Sequence, residues 1–173
     1  RWAKFLAWFG VTLAGFGIVV FVLGPSLFAS VAYPLPKEYP EAVKREAITY
    51  NISPNFLAAL IFVESRWDPN AQSYAGAVGL TQCIPSTARA IANRLGVEPF
   101  SVNDLKTKPE LSIRFGAYYI SDAINRYGGD ARTGLVAYNG GGAAVNAWRA
   151  GFPFRGTLAY AEKVLSVEKM YDK

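Results

Sequence analysis

Between Ser53 and Pro69 the chain carries its most restrictive stretch, Ser-Pro-Asn-Phe-Leu-Ala-Ala-Leu-Ile-Phe-Val-Glu-Ser-Arg-Trp-Asp-Pro. Ser53 is an N-cap residue type, and Pro54 suits the first helical turn, where its missing N–H costs nothing. Asp68-Pro69 is a stop signal, because the residue before a proline avoids the helical region. Within those bounds Leu57, Leu60, Ile61 and Glu64 fall at i, i+3, i+4 and i+7, one face of a helix. Three members of that stripe seek the core, and the fourth is a carboxylate. An acid that closes an apolar stripe stands at the rim of a cleft or breaks the pattern. The first alternative makes Glu64 a candidate functional group.

The same punctuation recurs downstream. The spacing predicts helices over Glu41–Tyr50, Pro85–Leu95 with Gly96 just beyond its end, and Pro109–Tyr127 stopped by Gly128-Gly129. Leu111, Phe115, Tyr118, Tyr119 and Ala123 give the last of these its helical period. Two shorter helices, Ala131–Tyr138 and Ala143–Ala150, flank Asn139-Gly140-Gly141-Gly142, and Thr157 is placed to cap a final helix toward Tyr171. No segment alternates like a strand. The expected fold class is all-α, in one catalytic-sized domain over 41–173.

Ahead of it, Phe5 to Leu23 is an uncharged apolar run of about twenty residues, enough to cross a bilayer as a helix. Residues 1–24 are therefore expected to form a transmembrane anchor to a lipid bilayer. Arg1 and Lys4 precede the run, which puts its N-terminal side in the cytoplasm and the rest of the chain outside. A cleaved signal peptide is the competing reading, with Ser30-Val31-Ala32 as a cleavage site; the length of the run favours the retained anchor. Residues 25–40 read as a proline-rich linker, with a reach of at most about 40 Å between Gly24 and Pro36.

The 173 residues include no histidine and one cysteine, Cys83. Ser-His-Asp and Cys-His chemistry is thereby excluded, as is a cysteine metal cluster. No metal or other cofactor is expected. Once Arg1 and Lys4 are set aside, 16 basic residues face 13 acidic ones, a mild excess that does not point to nucleic acid. Carboxylates, phenols, amides and hydroxyls remain, an inventory suited to proton transfer on sugars.

After the Glu64 segment comes Ser73-Tyr74-Ala75-Gly76-Ala77-Val78-Gly79-Leu80-Thr81-Gln82-Cys83-Ile84-Pro85. Its small residues allow close backbone approach, and Ser73 and Gln82 offer hydrogen bonds either to a ligand or to the loop itself. Glu64-Ser65, Pro69, Ser73, Gly79-Leu80-Thr81-Gln82, Ile84-Pro85-Ser86-Thr87-Ala88 and Ala137-Tyr138-Asn139-Gly140-Gly141 occur in that order. Together they resemble the lytic transglycosylases, specifically the soluble-transglycosylase catalytic domain related to goose-type lysozyme. The resemblance runs from about Glu41 to the C-terminus. Three positions depart from the family pattern: Thr81 replaces the usual Met, Cys83 an aliphatic residue, and Gly156 a Glu. The first two read as packing changes.

The resemblance implies cleavage of the MurNAc-β-1,4-GlcNAc bond of peptidoglycan glycan strands without water, leaving 1,6-anhydromuramoyl ends. Glu64 would donate a proton to the leaving oxygen and then accept one from the C6 hydroxyl. The acetamido group of the substrate would stand in for a second carboxylate. Tyr138 would hydrogen-bond or orient Glu64, Asn139 would support its turn or supply a left-handed residue, and Ser73 and Gln82 would contact the sugars. Tyr160 would lie over the site or in the core. Alternatives are a hydrolytic muramidase of the same fold or an inactive glycan-binding scaffold. At an ordinary pKa only ~0.2% of Glu64 would be protonated at pH 7, so its apolar setting must raise that value. Asp68, beside Pro69, is expected to be structural.

Overall fold

The computed structural model describes residues 38–172. The apolar run Phe5–Leu23 and the linker through Lys37 lie outside the described residues; within them no helix is long and apolar enough to cross a membrane. Among the described residues seven helices follow one another: α1 (Pro40–Thr49), α2 (Pro54–Ser65), α3 (Pro85–Leu95), α4 (Asp104–Thr107), α5 (Pro109–Arg126), α6 (Ala131–Arg149) and α7 (Arg155–Tyr171). The only β pairing among the described residues is two isolated bridges, Gln72 with Val78 and Val78 with Cys83. The all-α expectation holds, and α4 is an addition to it.

Helix α2 lies at the centre. Ser53 Oγ accepts from the Phe56 N–H at 3.2 Å, the expected cap. Every residue from Phe56 to Phe62 is buried, so α2 is enclosed on all sides and not along one stripe. Leu57, Leu60 and Ile61 are fully inaccessible, each contributing roughly 1.5–3 kcal/mol of burial. The helix ends earlier than Asp68-Pro69 predicts, because Arg66 and Trp67 take left-handed φ values of 53° and 68°. Asp68 then caps its own turn by accepting from the Asn70 N–H at 2.8 Å, the structural role expected of it.

Helix α7 runs antiparallel to α2: Tyr160, near its start, meets Glu64, while Asn55 Nδ2 donates to Tyr171 O and Asp172 Oδ1 at its end. A second apolar cluster joins Val78, Cys83, Ala88, Ile91, Ala92 and Leu105 to Phe115 of α5. The 73–85 loop, α3 and α4 thus form one flank of the domain, resting on α5.

The break expected at Asn139–Gly142 falls on one residue. Gly141 alone leaves the helical region, at φ 69° and ψ −177°, and α6 continues to Arg149. Helix α7 begins at Arg155, ahead of the cap expected at Thr157. That threonine instead lies buried against Gly140, where an added Cβ would sit 3.1 Å from its side chain.

Candidate active site

Glu64 occupies the last turn of α2, where the helix emerges from the apolar interior. Desolvation raises its carboxyl pKa from 4.5 to about 7, opposed in part by a hydrogen bond from Tyr160. The Tyr160 hydroxyl donates to Glu64 Oε1 at 2.5 Å, a short bond. No other carboxylate among the described residues contributes to the shift. Burial raises the Tyr160 phenol well above its ordinary range, and the Glu64 charge raises it further. It is therefore a neutral donor at any working pH.

Tyr138 does not make the bond expected of it. Its hydroxyl donates to the Thr81 carbonyl at 2.7 Å, and its ring packs 5.1 Å from that of Tyr119. A buried peptide carbonyl needs a donor, and this phenol supplies it. Tyr138 nonetheless lies in the field of Glu64: burial is the main cause of its raised pKa, and the Glu64 charge is the next. Asn139, the residue after Tyr138, is helical and exposed; of its two alternatives the left-handed one does not occur, and the positive φ falls on Gly141.

The loop after α2 is braced largely by its own groups. Ser73 Oγ accepts from the Ala77 N–H at 3.0 Å, leaving its own O–H free to donate. Gln82 Nε2 donates to Ala71 O at 3.2 Å and to Gly79 O at 3.0 Å. Gln82 also carries a left-handed φ of 46°, held by these bonds. Cys83 is buried, and desolvation pushes its thiol up to about 12, with the Glu64 charge adding to the effect. It is an inert core residue beside the site. Glu64, Tyr160, Tyr138 and Cys83 are therefore brought together, while Ser73 and Gln82 stand in the adjoining loop.

Sequence reasoning missed the polar role of Thr81. Its hydroxyl donates to Ser112 O at 2.9 Å, so it is no simple packing change. A buried serine at Ser112 within an apolar helix face was the available signal.

The Transglycosylase SLT domain family matches residues 41–160, most of the chain. The chain belongs to this family. A soluble lytic murein transglycosylase of Escherichia coli is 28% identical over 79% of this chain. Membrane-bound lytic murein transglycosylase C of Actinobacillus pleuropneumoniae is 31% identical over 63% of this chain and 32% of its own length. The crystal structure of the 70 kDa soluble lytic transglycosylase from Escherichia coli superposes with a TM-score of 0.74 at 25% identity. That match covers 83% of this chain and 25% of the other. The chain thus spans about a quarter of the length of the soluble relatives it matches. What it shares with them is the SLT domain, with its all-α fold.

Proposed function

We propose that this SLT domain is a peptidoglycan lytic transglycosylase in which Glu64 is the single acid and base. The observation that carries the reading is the placement of Glu64: a half-buried carboxyl at the end of an apolar helix, raised by desolvation to about 7, with a neutral phenol fixed against one oxygen. At pH 7 about half of such groups hold a proton, against well under one in a hundred for an exposed glutamate. Protonated Glu64 delivers its proton to the leaving glycosidic oxygen as the C1–O bond breaks. The acetamido oxygen of the substrate stabilises C1. The carboxylate so generated then accepts the C6 hydroxyl proton as O6 closes on C1, giving the 1,6-anhydro ring and restoring the acid.

Relatives named as murein transglycosylases support the substrate class. Ser73, through its free O–H, and Gln82, through its amide oxygen, are the groups we assign to the sugar substituents. Asn139, exposed on α6 beside Tyr138, is a further group we assign to the substrate. The Phe5–Leu23 run supports tethering to the cytoplasmic membrane with the domain outside.

Digestion of purified peptidoglycan in ¹⁸O-water, followed by mass spectrometry, tests the chemistry. Anhydromuramoyl ends free of ¹⁸O are expected. Reducing ends carrying ¹⁸O would make the protein a hydrolase instead.

A further inference from the structure

The Thr81 peptide is gripped from two sides. Toward α5, its N–H donates to Ser112 Oγ at 3.3 Å and its hydroxyl to Ser112 O at 2.9 Å, with the two hydroxyl oxygens 3.2 Å apart. Toward α6, its carbonyl accepts from the Tyr138 hydroxyl at 2.7 Å. Thr81 and Ser112 are both fully inaccessible to solvent.

The space around the threonine sets which way its side chain turns. A Cβ on Gly116 would lie 2.4 Å from Thr81 Cγ2, so the bare glycine receives the methyl group while the hydroxyl turns to Ser112. A Cβ on Gly79, at φ 77°, would lie 2.6 Å from Leu105 O and 2.9 Å from Ser112 Oγ, so this turn is pressed onto both α4 and α5. Gln82 follows directly in its left-handed conformation. Ser112 Oγ supplies the acceptor that the buried Thr81 N–H needs, and the Thr81 hydroxyl adds a bond to α5 that an aliphatic side chain of the same shape could not make.

We propose that Thr81, locked by its hydroxyl to Ser112, is a positioning residue that fixes the Tyr138 phenol, and with it the largely apolar surroundings of Glu64. The inference rests on the reading of Glu64 as the acid, but its first test does not need turnover. The ionisable groups facing Glu64 are Tyr160 from α7, Tyr138 from α6 and Cys83 from the loop. With the lock removed, water or a released Tyr138 hydroxyl reaches the carboxylate, and both stabilise its charged form.

The experiment is a ¹³C carboxyl NMR titration of the whole chain, with the Glu64 signal assigned by its loss in Glu64→Gln. Thr81→Val/Ser112→Ala removes both hydroxyls and keeps the shape. It is expected to lower the Glu64 midpoint by about half a pH unit or more, while Thr81→Ser holds the wild-type value. Ser112→Ala alone, which leaves Thr81 intact, gives the same shift and replaces the double variant should that fail to fold. A double variant that melts cooperatively with an unchanged midpoint overturns the proposal.

Kinetics supply a second arm. Thr81→Val is expected to lower kcat about tenfold with KM nearly unchanged, and to cost nothing further in a Tyr138→Phe background. Additive losses would overturn action through Tyr138. A wild-type chain that leaves peptidoglycan uncut would defeat the functional reading, while the titration would still decide the lock.

Discussion

Helices α6 and α7 each bring a half-buried tyrosine to the end of α2, and their hydroxyls end in different places. Tyr160 of α7 bonds the Glu64 carboxyl, whereas Tyr138 of α6 bonds a peptide carbonyl in the loop. The first phenol acts on the charge of the acid, the second on the shape of its surroundings. A phenol near an acid is thus not enough to assign it a role; the partner of its proton decides.

The largest expected effect sets the reference for both tyrosines. Glu64→Gln keeps an oxygen that Tyr160 can bond but has no proton to give, so turnover should fall by about 10³-fold or more. Binding of glycan strands in a pull-down should persist. The same substitution tests the burial penalty. Because the folded pKa is raised, the native state retains a proton that the unfolded chain has lost, and stability falls as pH rises from about 4.5 through about 7. The full loss is on the order of 3 kcal/mol. Glu64→Gln, which escapes it, should therefore melt at higher temperature than the parent at pH 8 and show little difference at pH 4. For the parent, turnover should decline above pH 7 as the acid form empties.

Next comes Tyr160→Phe. Removing the bond that stabilises the carboxylate should move the Glu64 midpoint above about 7, while kcat falls roughly 10–100-fold because the acid is no longer held. An upward shift of the alkaline limb of the pH–rate profile distinguishes this from simple unfolding. Tyr138→Phe should behave differently, leaving the Thr81 carbonyl unpaired and costing about 1–3 kcal/mol in denaturant unfolding. If the two variants had interchangeable effects on the Glu64 titration, the contrast between the phenols would be lost. The smallest effect lies far from the acid, at the start of α6. Asp130 caps that helix through the Thr133 N–H at 2.8 Å, and Asp130→Ala should cost about 1 kcal/mol with the pH profile unmoved.

Much of this arrangement was legible in the chain. Ser53-Pro54 marked the start of α2, Gly96 the end of α3, and the period of Leu57, Leu60, Ile61 and Glu64 brought the acid to the edge of the core. The ordered motifs led to the family, which the match over residues 41–160 shows. What stayed hidden depends on contacts distant in sequence. Tyr160 meets Glu64 across 96 residues, and Tyr138 meets Thr81 across 57. Local periodicity has no access to such pairs. Nor did it separate a stripe from an enclosed helix, because alanines at 58 and 59 fit either environment. The left-handed conformations at Arg66 and Trp67 carried no glycine or asparagine signal, so the α2 boundary was read too late.

The central claim is that a single carboxylate is kept dry enough to hold its proton near neutrality. Its most direct test is the ¹³C carboxyl titration of Glu64 in the unmodified protein. A midpoint of about 7 is expected. A midpoint near 4.5, the value of an ordinary glutamate, would contradict it.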